Sequence, residues 1–306
     1  MKHIYVLAIV LLMFSCKAQK PVVSAPKEPV PVIENALLWS VSGNGLSSPS
    51  YLYGTIHMIC KEDFQISSTL KEKFEGSKNI YLEIDMDDPN MMMKTAMLSI
   101  MKEHSLKDIM SEKDYKELSA YVKDSLGMPM LIFNKLKPMA LMSLLYTKIL
   151  SCPSESYEQH FVDMAKERKK EIRGLEKIED QMGVFDKIPD SVEAQMLLEM
   201  IRTMPEQRKE FAEMVESYKK EDLNKLGDEI SSSPEWKGYE DIMLVNRNKN
   251  WIPVMSAAMK EGPELFAVGA GHLPGSDGII NLLRKAGYTV QPVKQTFGEI
   301  VYSPHN

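Results

Sequence analysis

The sequence predicts an α/β (α+β) protein with a mixed central sheet formed by both ends of the chain and a helical insertion or cap in the middle. Three observations carry this. Short runs rich in apolar, β-branched and aromatic residues cluster before about residue 90 and after about residue 260, whereas the stretch between them repeats its apolar residues every three or four positions. One run near each end closes on the same spacing, Gly-x-x-His, in YLYGTIH and in FAVGAGH. The 306 residues, 44% hydrophobic and 8% aromatic, suffice to bury one large core or two modest ones.

The N-terminal MKHIYVLAIVLLMFSC has a positive start at Lys2, an apolar run and a small residue just before Cys16. It reads as a lipoprotein-type signal over residues 1–16, cleaved before a lipidated Cys16, although Met13-Phe14-Ser15 is looser than the usual Leu-Ala-Gly kind of box. That places the protein in the cell envelope, lipid-anchored to a bacterial membrane at the outer membrane or periplasmic face, with plain secretion as the alternative. Residues 17–35 are proline-punctuated and fit a tether. In an oxidising compartment Cys60 and Cys152 either pair or stay as buried free thiols, and the sequence leaves both open.

The folded body is expected over residues 36–293, with a tail at 294–306. ALLWSVS and SYLYGTIH, separated by GNGLSSP, predict a β-hairpin. ISSTLKEKFEGS predicts a helix that Gly76 stops, and NIYLEID a compact strand ending in acids; strand, helix, strand favours a parallel pair. Four helical segments follow, with N-caps expected at Ser111 and Ser154, a stop at Gly127, and Pro138 in a first turn or at a kink. EIRGLE returns as a short strand within a helical cap spanning about 91–260. LFAVGAGH, SDGIINLLRKAG and YTVQPV then give strand, helix stopped by Gly287, and strand. The 23 methionines fall at helical spacings that suit core packing.

A net charge of -6 with interspersed signs offers no basic footprint for nucleic acid. The chemistry is expected instead where a glycine at a strand end lets a histidine three residues on project from the C-terminal rim, the ligand-binding edge of open α/β sheets. His57 and His272 hold that position, and Glu83 at the end of IYLEID points to the same rim, with Asp85 sharing its face. Two imidazoles and a carboxylate suit a divalent metal with an open position for water, or else two hydrogen-bonded structural histidines and a helix-capping acid. His104 and His160, in charged helical surroundings, read as surface residues.

Together YLYGTIH, IYLEID, GLEKIEDQ at 174–181, LVNRNKNW at 244–251 and FAVGAGHLPGSDGIINLLRKAGYTV at 266–290 resemble the TraB/GumN family, also called TraB/PrgY/GumN, in the family's order. The resemblance implies the fold shared with Tiki metalloproteases, erythromycin esterase (EreA) and ChaN-like haem-binding proteins. It implies Gly54 with His57 as the first motif, Glu83 as the acid, and Gly269 with His272 as the second. Glu158 falls where many members have an aspartate. Arg247 and Asn248 match an Arg-Asn pair: Arg247 would hold a substrate carboxylate or an oxyanion, or ion-pair with Glu158 or Glu176. Glu176 and Gln181 would support the centre from behind or fix a strand-to-helix junction. The implied function is a surface-tethered metal-dependent hydrolase, most simply a peptidase with a peptide or protein substrate, in which His57, Glu83 and His272 hold Mn²⁺, Co²⁺ or Zn²⁺. The competing expectation is a non-catalytic binding protein for a peptide, a pheromone or haem on the same rim.

Overall fold

The computed structural model describes residues 32–232 and 238–297; the expected signal, Cys16, most of the tether and most of the tail lie outside the described residues. Its strands are β1 (Leu38–Gly43), β2 (Ser50–Thr55), β3 (Ile59–Cys60), β4 (Ile80–Leu82), β5 (Ser154–Glu155), β6 (Ile172–Gly174), β7 (Leu265–Gly269) and β8 (Tyr288–Pro292). The helices are α1 (Ser68–Gly76), α2 (Met91–Leu98), α3 (Leu106–Ile109), α4 (Glu112–Leu126), α5 (Pro138–Tyr146), α6 (Tyr157–Arg168), α7 (Ile178–Phe185), α8 (Asp190–Arg202), α9 (Met204–Lys219), α10 (Leu223–Ser232), α11 (Asn246–Glu261) and α12 (Ile279–Lys285). Among the described residues no helix is long and apolar enough to cross a membrane.

Six strands form one mixed sheet in the order β6-β4-β7-β2-β1-β8. The first hairpin is antiparallel, Leu38 facing Tyr53, and β8 runs antiparallel along the other side of β1. β2, β7, β4 and β6 are parallel neighbours, with Thr55 level with Gly269 and Leu82 level with Gly174. All four parallel strands therefore end on one rim. The expected parallel pair around α1 is real in direction, but β7 from the far end of the chain lies between β2 and β4. Strand β6 comes from the otherwise helical middle. Trp39, Leu52, Ile80, Leu82, Phe266 and Val268 are completely buried in the sheet, each contributing on the order of 2 kcal/mol through area removed from water.

The punctuation explains several element ends. The Ser67 hydroxyl accepts the Leu70 N–H to start α1, and Ser111 accepts the Asp114 N–H at 3.1 Å to start α4. Gly127 ends α4 at φ 69, a left-handed value that favours glycine, and Pro138 opens α5 in the first turn rather than kinking it. Ser154 is not an N-cap: it lies in β5, and Ser156 caps α6. The strand after α1 stops at Leu82, so the alternation that would put Asp85 on the face of Glu83 is broken; Asp85 is exposed and shares a hydrogen bond with Asp87.

Cys60 and Cys152 form a disulfide. It reinforces the small sheet in which Cys60 pairs with Ser154 and Ile59 with Glu155. His104 and His160 are half-buried rather than surface residues: His104 Nε2 is 2.5 Å from Asp190 Oδ2, and the His160 ring lies 5.2 Å from Phe64.

A candidate metal centre on the sheet rim

Each parallel strand delivers one polar group to the rim within a few residues of its end. β2 leads to His57, β4 to Glu83, β7 to His272 through a short 3-10 turn at Ala270–His272, and β6 to Glu176. The two motif glycines interlock these turns. A Cβ on Gly54 would come within 3.2 Å of Ala270 and Leu273, so the bare strand lets the second motif pack against the first. A Cβ on Gly269 would stand 3.2 Å from Glu83 Oε1, 3.5 Å from His57 Nε2 and 3.6 Å from His272 Cδ2. Gly269 is thus the floor on which all three side chains meet.

Glu83 is buried and fully engaged. Its Oε1 accepts the Gly269 N–H at 2.9 Å and faces His272 Nε2 at 3.7 Å and His57 Nε2 at 4.0 Å. Its Oε2 accepts from Arg247 NH2 at 2.6 Å and Gln181 Nε2 at 3.1 Å. Burial alone would raise its pKa, but His272, His57, Arg247 and the Gly269 N–H outweigh that and hold the carboxyl well below the usual carboxylate range.

The histidines are held alike and exposed differently. His57 Nδ1 lies 2.9 Å from Glu158 Oε1, and Glu158 is itself fixed by Thr55 Oγ1 at 2.5 Å and Ser156 Oγ at 2.9 Å. His272 Nδ1 lies 2.6 Å from Asn248 Oδ1, whose Nδ2 returns a bond to the His272 carbonyl at 3.2 Å. The protein packed around the ring partly desolvates His57 and opposes its protonation, but the Glu158 hydrogen bond and charge prevail and lift its pKa to about 9; with the side chain 67% exposed, water screens part of that lift. Burial pushes His272 down to about 3, against the pull of Glu83.

Both Nδ1 atoms thus have an acceptor, which leaves both Nε2 atoms to offer lone pairs toward Glu83 Oε1 once His57 has given up its second proton. Ligating histidines are oriented in this way by a hydrogen bond on the other ring nitrogen. Separations of 3.7 and 4.0 Å are too long for hydrogen bonds but suit donors sharing one cation through bonds of about 2.0–2.2 Å. The donor set, two imidazoles and a carboxylate, fits a divalent metal of the Mn²⁺ to Zn²⁺ group. A tighter trio exists among the described residues, Cys60, Glu62 and Asp63 with donors within 4.8 Å, but the Cys60 sulfur is bonded to Cys152 and offers no thiolate.

Arg247 completes the rim from α11. Its partners are Glu83 and Glu176, whose Oε1 it meets at 2.9 Å through Nε and 2.5 Å through NH2; Glu158, the other partner expected of it, belongs to His57. Glu176 takes the Trp251 indole N–H at 3.1 Å, so it supports the centre through Arg247 and Trp251, and Gln181 does so through Glu83. Three contributors escaped the sequence reading: Thr55, Ser156 and Trp251. Trp251 packs against His272 with ring centroids 4.5 Å apart and planes tilted by 40°, and its ring lies 4.8 Å from the Arg247 guanidinium. Its place one helical turn after Arg247 was the available signal.

The sequence profile of the TraB/PrgY/gumN family matches residues 37–292. The chain belongs to this family. Among curated proteins, this TraB/PrgY/gumN member is similar to the zebrafish (Danio rerio) metalloprotease TIKI1, 22% identical with 84% of this chain and 63% of the relative covered. It is also similar to metalloprotease TIKI2 of Xenopus tropicalis, 24% identical over 86% and 61%, and to human (Homo sapiens) metalloprotease TIKI1, 24% identical over 84% and 62%. The chain spans about three-fifths of the length of these relatives. No solved structure matches it.

Proposed function

We propose that the rim is the catalytic centre of a metal-dependent hydrolase that cleaves peptide or protein substrates. The observation that carries this is the paired orientation of His57 and His272, each with Nδ1 held by an acceptor and Nε2 turned to Glu83 Oε1. Similarity to proteins named metalloproteases supports the choice of reaction. His57, Glu83 and His272 would hold Mn²⁺, Co²⁺ or Zn²⁺, which supplies Lewis-acid polarisation of a carbonyl and acidifies water. The side chains do the rest. Substrate enters on the His57 side, which is open, because His272 is sealed by Trp251 and Asn248. Glu158, buried behind the exposed His57 ring, accepts the Nδ1–H through Oε1 and so holds the ring with Nε2 turned to the open edge. Arg247 presents positive charge to the negative charge that develops on the attacked carbonyl.

The envelope location belongs to the same proposal: a lipid on Cys16 would hold the body at a membrane through the tether. Substituting Cys16→Ser should release the protein from the membrane fraction. The deciding experiment compares metal content of full-length, detergent-solubilised protein with that of His57→Ala and His272→Ala after loading with Mn²⁺, Co²⁺ or Zn²⁺. Near-stoichiometric metal in the wild type, lost from both variants, is expected, along with cleavage of peptide libraries by the loaded wild type only. Metal retained in both variants would overturn the assignment.

A further inference from the structure

Once the Nδ1 proton of His272 is given to Asn248, the ring has a single in-plane lone pair, on Nε2. Arg247 NH1 already donates to it at 3.2 Å. That lone pair is one of the three donors of the proposed metal centre, and the inference rests on that reading. It cannot serve a guanidinium N–H and a cation at once.

The rest of Arg247 is anchored independently of His272. Nε and NH2 reach Glu176 at 2.9 and 2.5 Å, NH2 reaches Glu83 Oε2 at 2.6 Å, NH1 also donates to the Met243 carbonyl at 3.2 Å, and the guanidinium lies over the Trp251 ring, 4.8 Å from its centroid. Glu83 is divided accordingly: Oε2 serves Arg247 and Gln181, while Oε1 faces the imidazoles. Releasing His272 therefore breaks one bond of Arg247 and leaves its position fixed by the others. A guanidinium is permanently charged, so proton loss offers no other way to free the lone pair.

We propose that Arg247 is a built-in competitor of the metal. It caps His272 Nε2 in the empty centre; a divalent cation takes that lone pair by displacing one N–H of NH1, and the displaced N–H is left unpaired and free to donate to a substrate oxygen. The centre then binds metal more weakly than its donor set alone would, and its oxyanion donor is released only when metal is present.

The test measures Zn²⁺ and Mn²⁺ dissociation constants by competition with a chromophoric chelator, using full-length protein in detergent as wild type, Arg247→Gln, His272→Ala and the double variant. Arg247→Gln should bind tenfold or more tightly than wild type, and the same substitution made in a His272→Ala background should give no gain. A purely supporting role predicts the opposite sign, so unchanged or weaker binding in a folded Arg247→Gln overturns the inference and leaves the metal reading standing. A gain that survives His272→Ala comes from removing the guanidinium charge beside the cation and overturns the inference alone, whereas no saturable binding in wild type overturns both. If Arg247→Gln does not fold, imidazole nitrogen NMR of the metal-free wild type decides: His272 should carry its proton on Nδ1 with Nε2 as a hydrogen-bonded acceptor, and a proton on Nε2 overturns the inference.

Discussion

The two Gly-x-x-His motifs have the same spacing and end on the same rim, yet they set their histidines in opposite surroundings. His57 is 67% exposed and its pKa is lifted to about 9, whereas His272 is 6% exposed and pushed down to about 3. The first motif lies beside a chain segment held by a two-stranded sheet and a disulfide; the second is packed beneath an indole and a guanidinium. A shared pattern specifies where a side chain projects. Its neighbours, drawn from elsewhere in the sequence, specify its charge and mobility.

The largest effect that would sharpen this contrast comes from the covalent link. Cys60–Cys152 spans a sequence separation of 92 and joins the segment just past His57 to the segment just before Glu158. Replacing both cysteines by serine should cost about 2–4 kcal/mol of stability, measured by denaturant unfolding. The same variant should loosen His57 more than His272, seen as exchange broadening of the His57 ring signals alone. Equal broadening of both would show that the motifs are held as one unit.

A smaller effect separates the acceptors behind the rings. Removing the partner that orients a ligating histidine typically costs 10–100-fold in metal affinity, about 1.4–2.7 kcal/mol. Asn248→Ala should reach the upper part of that range, because His272 is buried and its Nδ1 has Asn248 as its neighbour at 2.6 Å. Glu158→Gln should fall in the lower part, since a glutamine carbonyl still accepts the Nδ1–H and water reaches the ring. Chelator-competition titrations check the ranking, and a reversed order would mean that exposure does not govern how much a ring depends on its acceptor.

How much of this was legible in the sequence follows the same division. Period and punctuation are local, so the hairpin, the helix cap at Ser111 and the two Gly-x-x-His turns could be read directly, while the cap expected at Ser154 fell two residues short of Ser156. What depends on chain segments far apart was less accessible. The insertion of β7 between β2 and β4, the choice of Glu176 and Glu83 over Glu158 by Arg247, and the pairing of Cys60 with Cys152 are tertiary facts with no local period. Asp85 failed for a local reason: the strand ends at Leu82, three residues before it, and alternation has no meaning past a strand's end. The family resemblance supplied Glu158, Arg247 and Asn248 as participants, but the bonds that give them roles came from the fold.

The smallest expected effect is on the pH dependence of stability in metal-free protein, where the motifs should act with opposite sign. His57 has a folded pKa raised from 6.5 to about 9, so its contribution is complete below pH 6.5 and is lost as pH rises through about 9. His272 has a folded pKa lowered from 6.5 to about 3; the unfolded chain takes up a proton that the folded chain refuses, so stability is lost as pH falls from 6.5 toward 3. Between them the two place the optimum near pH 6.5, with a shallower alkaline limb because solvent screens His57. Melting temperatures of wild type, His57→Ala and His272→Ala across pH 4–10 test this, the differences between curves removing the contribution of other carboxylates. His57→Ala should flatten the alkaline limb and His272→Ala the acid limb. If each variant flattened both, the two rings would titrate as one coupled pair, and the contrast between the motifs would belong to the pair rather than to the separate surroundings of each histidine.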